Sequence, residues 1–130
     1  MQVVAALIVQ SNRLLICQRR EGGPFALKWE FPGGKVEPGE DLMQALSREL
    51  REELEIEVPS AREIFRHDHT YREGTKVELI FFRVDEYRGK IVNRVFHNVR
   101  WVGLEELKQF DFLDGDLPLI EMLVGNGPPQ

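Results

Sequence analysis

Three glutamates, Glu49, Glu52 and Glu53, recur at i, i+3 and i+4 beside Arg48 in the stretch GGKVEPGEDLMQALSRELREELEIEV, Gly33 to Val58. On a helix turning about 100° per residue, the second and third fall within about 60° of the first, on neighbouring turns of one face. Leu42, Leu46, Leu50 and Leu54 sweep an apolar arc that begins where the acidic arc ends. The carboxylates therefore border the buried stripe instead of opposing it, unlike an ordinary solvated face. Like charges this close repel, and partial burial sharpens the repulsion. Hard divalent cations relieve it, Mg²⁺ above all with Mn²⁺ as a substitute, because carboxylate oxygens suit them. The spacing alone also describes a surface helix laced with ion pairs, since Arg48 and Glu52 stand at i, i+4.

The residues before the helix narrow the choice. Gly33-Gly34 and Pro38-Gly39 bracket a tight loop, and Glu40 and Asp41 enter the first turn, where acids suit the positive end of the helix dipole. Asp41 followed by Gln44 reads as a capping box. Gly34, five residues, Glu40, seven residues, Arg48-Glu49-Leu50, one residue, Glu52-Glu53, one residue, Ile56: this pattern resembles the Nudix box. WEFPGGK, Trp29 to Lys35, is similar to the MutT-like subfamily. One position departs, because Glu55 stands where the family usually has Gly to end the helix in a left-handed conformation. Either that substitution costs about 1 kcal/mol or the helix ends differently, and it bears on stability more than on chemistry.

The elements that must position these residues are legible in outline. Met1 to Val9 is an apolar, β-branched strand buried on both faces, and Leu14 to Gln18 returns after the turn 10–13. Glu21 to Leu27 is a loop leading to Trp29 and Phe31, which share one face of an extended segment. After the helix, Ile56 to Val58 begins a strand that Pro59 interrupts. Ile64 to Tyr71 and Lys76 to Tyr87 alternate as strands around the turn Arg72-Glu73-Gly74. His67, His69 and Tyr71 share one face of the first, but two histidines without a third partner make a poor metal site. Val99 to Val102 reads as a strand, Leu104 to Phe110 as a short helix and Leu117 to Val124 as a final amphipathic helix. The expectation is one domain over 1–125 with a frayed tail over 126–130. Strands with interleaved helices give an α/β protein, a mixed sheet sandwiched between helices, which is the α/β/α Nudix fold that the resemblance implies.

The resemblance also implies a chemistry. Glu49, Glu52 and Glu53, joined by the carbonyl of Gly34, hold Mg²⁺, and a water attacks a nucleoside triphosphate to release nucleoside monophosphate and pyrophosphate. Arg48 orients the glutamates, while Glu40 supports either the loop-helix junction or the metal shell. Arg19 falls where MutT-type enzymes carry a phosphate-contacting arginine, and its forked donors suit that task. Phe31 lines the nucleobase pocket, with core packing as its alternative. Asp116 falls where MutT has a base-reading Asn. An ionised Asp only accepts, which suits the N–H edge of guanine, oxidised guanine included, or the amino group of cytosine. Its alternative is to cap the last helix. Many MutT-like enzymes carry a Glu a few residues before the equivalent of Trp101. Here the stretch 95–100 has no carboxylate, so a box glutamate, His97 or the metal alone must activate the water. Tyr71 keeps open a dinucleoside polyphosphate substrate, whose enzymes often stack a base on a downstream Tyr. ADP-ribose hydrolysis is a further alternative, and a non-catalytic nucleotide-sensing module is another class, though such modules usually lose box acids that are all present here.

Composition bounds the rest. The chain has 130 residues, 42% hydrophobic and 30% charged, enough for one domain with a real core. A net charge of −5 argues against a partner that is polymeric nucleic acid or an anionic membrane. Cys17 is the one cysteine, which excludes an internal disulfide and fits a reducing, cytoplasmic setting. No stretch approaches the about 20 apolar residues of a membrane span. The expected partner is a nucleotide, bound by a monomer or homodimer.

Overall fold

The structure is a computed structural model that describes residues 1–126. Its spine is β1 (Gln2–Gln10), whose Val4 to Ile8 are buried. Val4, Ala6 and Ile8 face one core and Ala5 and Leu7 the other, as the two-residue period of a strand requires. β2 (Arg13–Gln18) returns antiparallel after a two-residue turn, with Val9 opposite Leu14. Ser11 and Asn12 both take positive φ, 52° and 61°, the conformation that matches a hairpin's twist.

Among the described residues seven strands form the mixed sheet. β2 pairs antiparallel with β3 (Trp29–Glu30) and with β7 (Asn98–Val102), and β1 pairs antiparallel with β4 (Gly33–Lys35). On its other side β1 runs parallel to β6 (Lys76–Val84), and β5 (Arg62–Thr70) completes that edge antiparallel to β6. α1 (Leu42–Leu54) covers one face, burying Ala45, Leu46, Leu50 and Leu54 against Val4, Ile8 and Ile80. Full burial of each leucine contributes about 1.5–3 kcal/mol. α2 (Leu117–Asn126) and a 3₁₀ helix over Leu104–Gln109 cover the opposite face through Leu107, Leu119, Ile120 and Leu123. The expected sandwich of helices about a mixed sheet is therefore observed. No helix among the described residues is long and apolar enough to cross a membrane.

Several boundaries differ from the sequence reading. The strand expected at Ile56 to Val58 reduces to one bridge between Glu57 and Arg88, since Pro59 cannot extend a ladder. β6 stops at Val84, three residues before the expected end at Tyr87. The helix expected over Leu104 to Phe110 is 3₁₀, and α2 runs on to Asn126. The tail expected over 126–130 otherwise lies outside the described residues.

The ends of α1 follow local rules. Asp41 caps it, its Oδ1 accepting from Gln44 N at 2.8 Å while Gln44 Oε1 accepts from Asp41 N at 2.8 Å, the reciprocal capping box. Glu55 ends it at φ 59°, ψ 30°, the left-handed conformation that the family's usual Gly adopts without strain. Its carboxylate meets Arg94 Nη1 at 2.6 Å, but both side chains are well exposed, so this pair contributes little. Glu55→Gly is accordingly expected to stabilise the protein by about 0.5–1 kcal/mol in urea unfolding. A loss of stability would mean that the Arg94 pair outweighs the backbone strain.

Candidate active site

The close approach of β4 to α1 builds the acidic centre. Gly33 N–H donates to Glu53 Oε1 at 3.2 Å. A Cβ on Gly33 would meet Val4 O at 2.0 Å, so β1 and β4 could not pair as they do. At Gly34 a Cβ would come within 2.4–2.6 Å of the Glu49 carboxylate, which lies directly on the glycine backbone. Arg48 ties the cluster to the preceding loop. Its Nε and Nη2 grip both oxygens of Glu40 at 2.7 and 3.0 Å, and Nη2 also donates to Lys35 O at 3.0 Å. Its Nη1 reaches Glu49 Oε1 at 2.9 Å and Glu52 Oε1 at 3.1 Å.

This geometry divides the carboxylates by environment. Glu40 accepts additionally from Glu37 N at 2.9 Å, so it fastens the loop-helix junction, one of its two expected duties. The Arg48 guanidinium, with that N–H, holds its carboxyl down at about 2. Burial is the largest influence on Glu49 and raises its pKa against the pull of Arg48. Burial, then the neighbouring Glu49 and Glu30, push the Glu53 carboxyl up to about 9 despite the Gly33 N–H. Glu52 is the exposed member, its side chain 55% accessible.

Beyond Glu53 a cleft of about 340 Å³ extends past Arg19, Glu30 and Phe31 to Tyr71 and Asp116. The β2–β3 register sets Cys17 opposite Glu30, and Arg19 Nη1 pairs with Glu30 Oε1 at 3.1 Å. Arg19 Nε donates to Pro24 O at 2.9 Å, and its guanidinium lies 5.9 Å from the Phe25 ring centre. Glu30 was passed over in the sequence reading. The available signal was period two, which turns it away from the face of Trp29 and Phe31. Phe31 is only 3% exposed and packs on Phe81 and Phe112, the core packing considered for it, and it also lines the cleft. Cys17 is fully buried and burial pushes its thiol up, the inert hydrophobe of its apolar strand.

Asp116 is the buried charged residue of the described core, 5% exposed. It precedes α2, but the capping role considered for it is not what its carboxylate does: Oδ2 accepts from Phe31 N at 3.2 Å. Burial, then Glu30, push this carboxyl up to about 8, against the Phe31 N–H and Arg19. Tyr71 stands beside it, half-buried, with ring centres 4.5 Å from His69 and 5.3 Å from Phe25. Burial, then Asp116, raise its hydroxyl to about 12. His97 lies elsewhere. It is exposed, its N–H donates to Gln18 O at 2.9 Å, and its neighbours Val95 and Phe96 line the space next to Glu53 and Arg19. Of the two histidines on this face of β5, His67 turns to Gly115 O at 2.9 Å and His69 packs on Tyr71.

Among the described residues no three His, Cys, Asp or Glu side chains already converge as a metal cage. Arg48 Nη1 sits between Glu49 and Glu52 in this arrangement. The donor set nevertheless fits a hard cation: all-oxygen ligands, with two partly buried carboxylates whose ionisation is opposed by burial and then by neighbouring carboxylates.

Comparison with known proteins agrees with this geometry. The NUDIX domain family matches residues 1–123, and the chain belongs to that family of hydrolases. It is 37% identical to the CTP pyrophosphohydrolase of Escherichia coli K12 over 120 residues, covering 92% of this chain and 88% of the relative. It is 36% identical over 124 residues to the 8-oxo-dGTP diphosphatase of Haemophilus influenzae, covering 93% and 90%. Among solved structures, MutT from a study of the Aliivibrio salmonicida and Vibrio cholerae proteins superposes with a TM-score of 0.83 at 28% identity, covering 95% of this chain and 96% of that one.

Two outcomes follow from the site. Gly34→Ala is expected to leave the fold intact by circular dichroism, because the flexible end of Glu49 can shift, yet to lower turnover at least about tenfold by displacing that carboxylate. Asp116, with its folded pKa raised, contributes stability that is full below the unfolded value near 3.8 and lost as pH rises through about 8. Asp116→Asn cannot ionise, so its stability relative to the unaltered protein should improve between pH 4 and 8 and level off above that window. Urea unfolding at pH 5, 7 and 9 measures it.

Proposed function

We propose that this protein hydrolyses a nucleoside triphosphate to nucleoside monophosphate and pyrophosphate, with an oxidised guanine nucleotide such as 8-oxo-dGTP as the preferred substrate. One observation carries the reading: a single cleft joins the crowded carboxylates, at Gly34 and Glu53, to Phe31, Tyr71 and Asp116. Glu49, Glu52 and Glu53, with the carbonyl of Gly34, would hold Mg²⁺. When bound, that ion supplies charge neutralisation for the phosphates and an acidified water. Arg48 keeps Glu49 and Glu52 aligned through its shared Nη1 donor. Arg19, already at the mouth of the cleft, offers guanidinium N–H groups to phosphate oxygens. Glu53, held by Gly33 N–H, would take a proton from the attacking water in its ionised form, which a bound cation favours against the burial that raises its carboxyl to about 9.

At the other end, Phe31 and Tyr71 supply aromatic surface for a base. A neutral Asp116, with its carboxyl pushed to about 8, both donates and accepts, like the Asn of MutT. That pairing suits the O6 and N1–H edge of a guanine. A second reading, a CTP-type pyrophosphohydrolase, draws on the similarity to the E. coli CTP enzyme, since cytosine also presents an adjacent donor and acceptor. A Mg²⁺-dependent pyrophosphate-release screen over normal and oxidised triphosphates, ranked by kcat/KM, separates the two. Cytosine preference selects the second reading, and turnover of no triphosphate rejects both. Glu53→Gln is expected to cut kcat by about a thousandfold or more with the fold retained, and chelation of divalent ions by EDTA to abolish turnover reversibly. Unchanged activity in Glu53→Gln would sink the metal assignment.

A further inference from the structure

The segment carrying Asp116 belongs to no strand, yet it is fixed from β5. His67 Nε2 lies 2.9 Å from the carbonyl oxygen of Gly115, an atom that only accepts, so the ring nitrogen donates. The ring is itself held flat against Phe81, at 3° interplanar angle and 6.3 Å between centres, and flanked by Phe65 at 5.5 Å. Four residues further on, just past the end of β5, Tyr71 presses on the segment. A Cβ at Gly115 would meet the Tyr71 hydroxyl and Leu79 Cδ1, each at 2.7 Å, so the backbone there lies as close as a glycine permits. The third hold is the Asp116 carboxylate on Phe31 N–H. An edge strand thus reaches over the sheet and clamps the one buried acid of the cleft.

We propose that His67 is a positioning residue for substrate selection: its ring N–H fixes the Gly115 carbonyl and thereby sets where the Asp116 carboxyl meets the nucleobase. Among the described residues, His67 makes no hydrogen bond to the carboxylate cluster or to Asp116. Its effect falls on base recognition and leaves the phosphate chemistry alone. The inference rests on the proposed base-reading role of Asp116.

The test compares His67→Phe, which keeps an aromatic ring to stack on Phe81 but has no donor, with His67→Gln, whose amide can donate again. Each is assayed on the best and the worst nucleoside triphosphate of the screen. His67→Phe is expected to raise KM for the best substrate about tenfold, equivalent to about 1.4 kcal/mol, the worth of one good hydrogen bond. Its kcat should move less than about twofold, and discrimination between the two bases should shrink by the same about tenfold factor. His67→Gln should recover most of both. In an Asp116→Ala background, His67→Phe should add almost nothing, because both act on one contact. If Asp116→Ala leaves discrimination unchanged, the base-reading assignment fails. If Asp116→Ala abolishes discrimination but His67→Phe does not alter it, or alters kcat instead, the positioning role of His67 is overturned. Should His67→Phe fold poorly, full selectivity in His67→Ala with unfilled packing would overturn it equally, and loss of selectivity restored by Gln would support it.

Discussion

Everything in this active site depends on how closely two glycines let the β4 backbone approach its neighbours. Gly33 lies on the carbonyl of Val4 and donates to Glu53, while Gly34 lies under the Glu49 carboxylate. Any side chain there would push α1 off the sheet or turn its acids outward. The approach forces like charges together in a partly buried place, which is unfavourable by itself. Arg48 offsets part of that repulsion, with contacts to Glu40, Glu49, Glu52 and the Lys35 carbonyl. A lysine could not reproduce its bidentate grip. The remaining excess of negative charge is of the kind that a hard cation relieves.

The two ends of the cleft are built by different logic. The acidic end comes from one contiguous stretch, Gly33 to Glu53, and its geometry is set by a loop, a cap and a helix. The far end is assembled from Arg19 just past β2, Glu30 of β3, Phe31, Tyr71 just past β5 and the segment before α2, all distant in sequence and brought together by the sheet. Arg19 and Glu30 stand between the two ends. Their ion pair links the charge of one to the ionisation of the other, since Glu30 raises the pKa of both Glu53 and Asp116.

That difference explains what could be read from the chain. The helix, its capping box and the acids at its edge follow from period and local chemistry, and they were legible. The stop of the helix near Glu55 was legible from the spacing of the box, but its left-handed conformation was not, because a non-Gly residue there equally allowed another ending. The burial of Asp116 was not legible. Its surroundings come from residues about 85 positions away, as the hydrogen bond to Phe31 shows, and the local pattern favours a helix cap. Glu30 escaped notice because a single acid between two aromatics looks like a solvent-facing alternation until β2 is placed beside it. His97 has the right chemistry for a base, but the loop turns Val95 and Phe96 towards the cleft in its place. Histidine type and sequence proximity do not fix a side chain's direction.

The parallel pairing of β1 with β6 has a consequence for how the molecule comes into being. Gln2 lies opposite Glu78 and Ile8 opposite Val84, so this ladder closes a loop of more than half the chain before its first hydrogen bond forms. Closing such a loop is entropically costly and slow compared with forming α1, which needs only neighbours in sequence. During synthesis the acidic centre, which draws on α1, β4 and β1, can therefore form while the far end of the cleft is still unmade. Asp116 and the elements that hold its segment, β5 and β6, come later in the chain, so the cleft is finished from its acidic end outward.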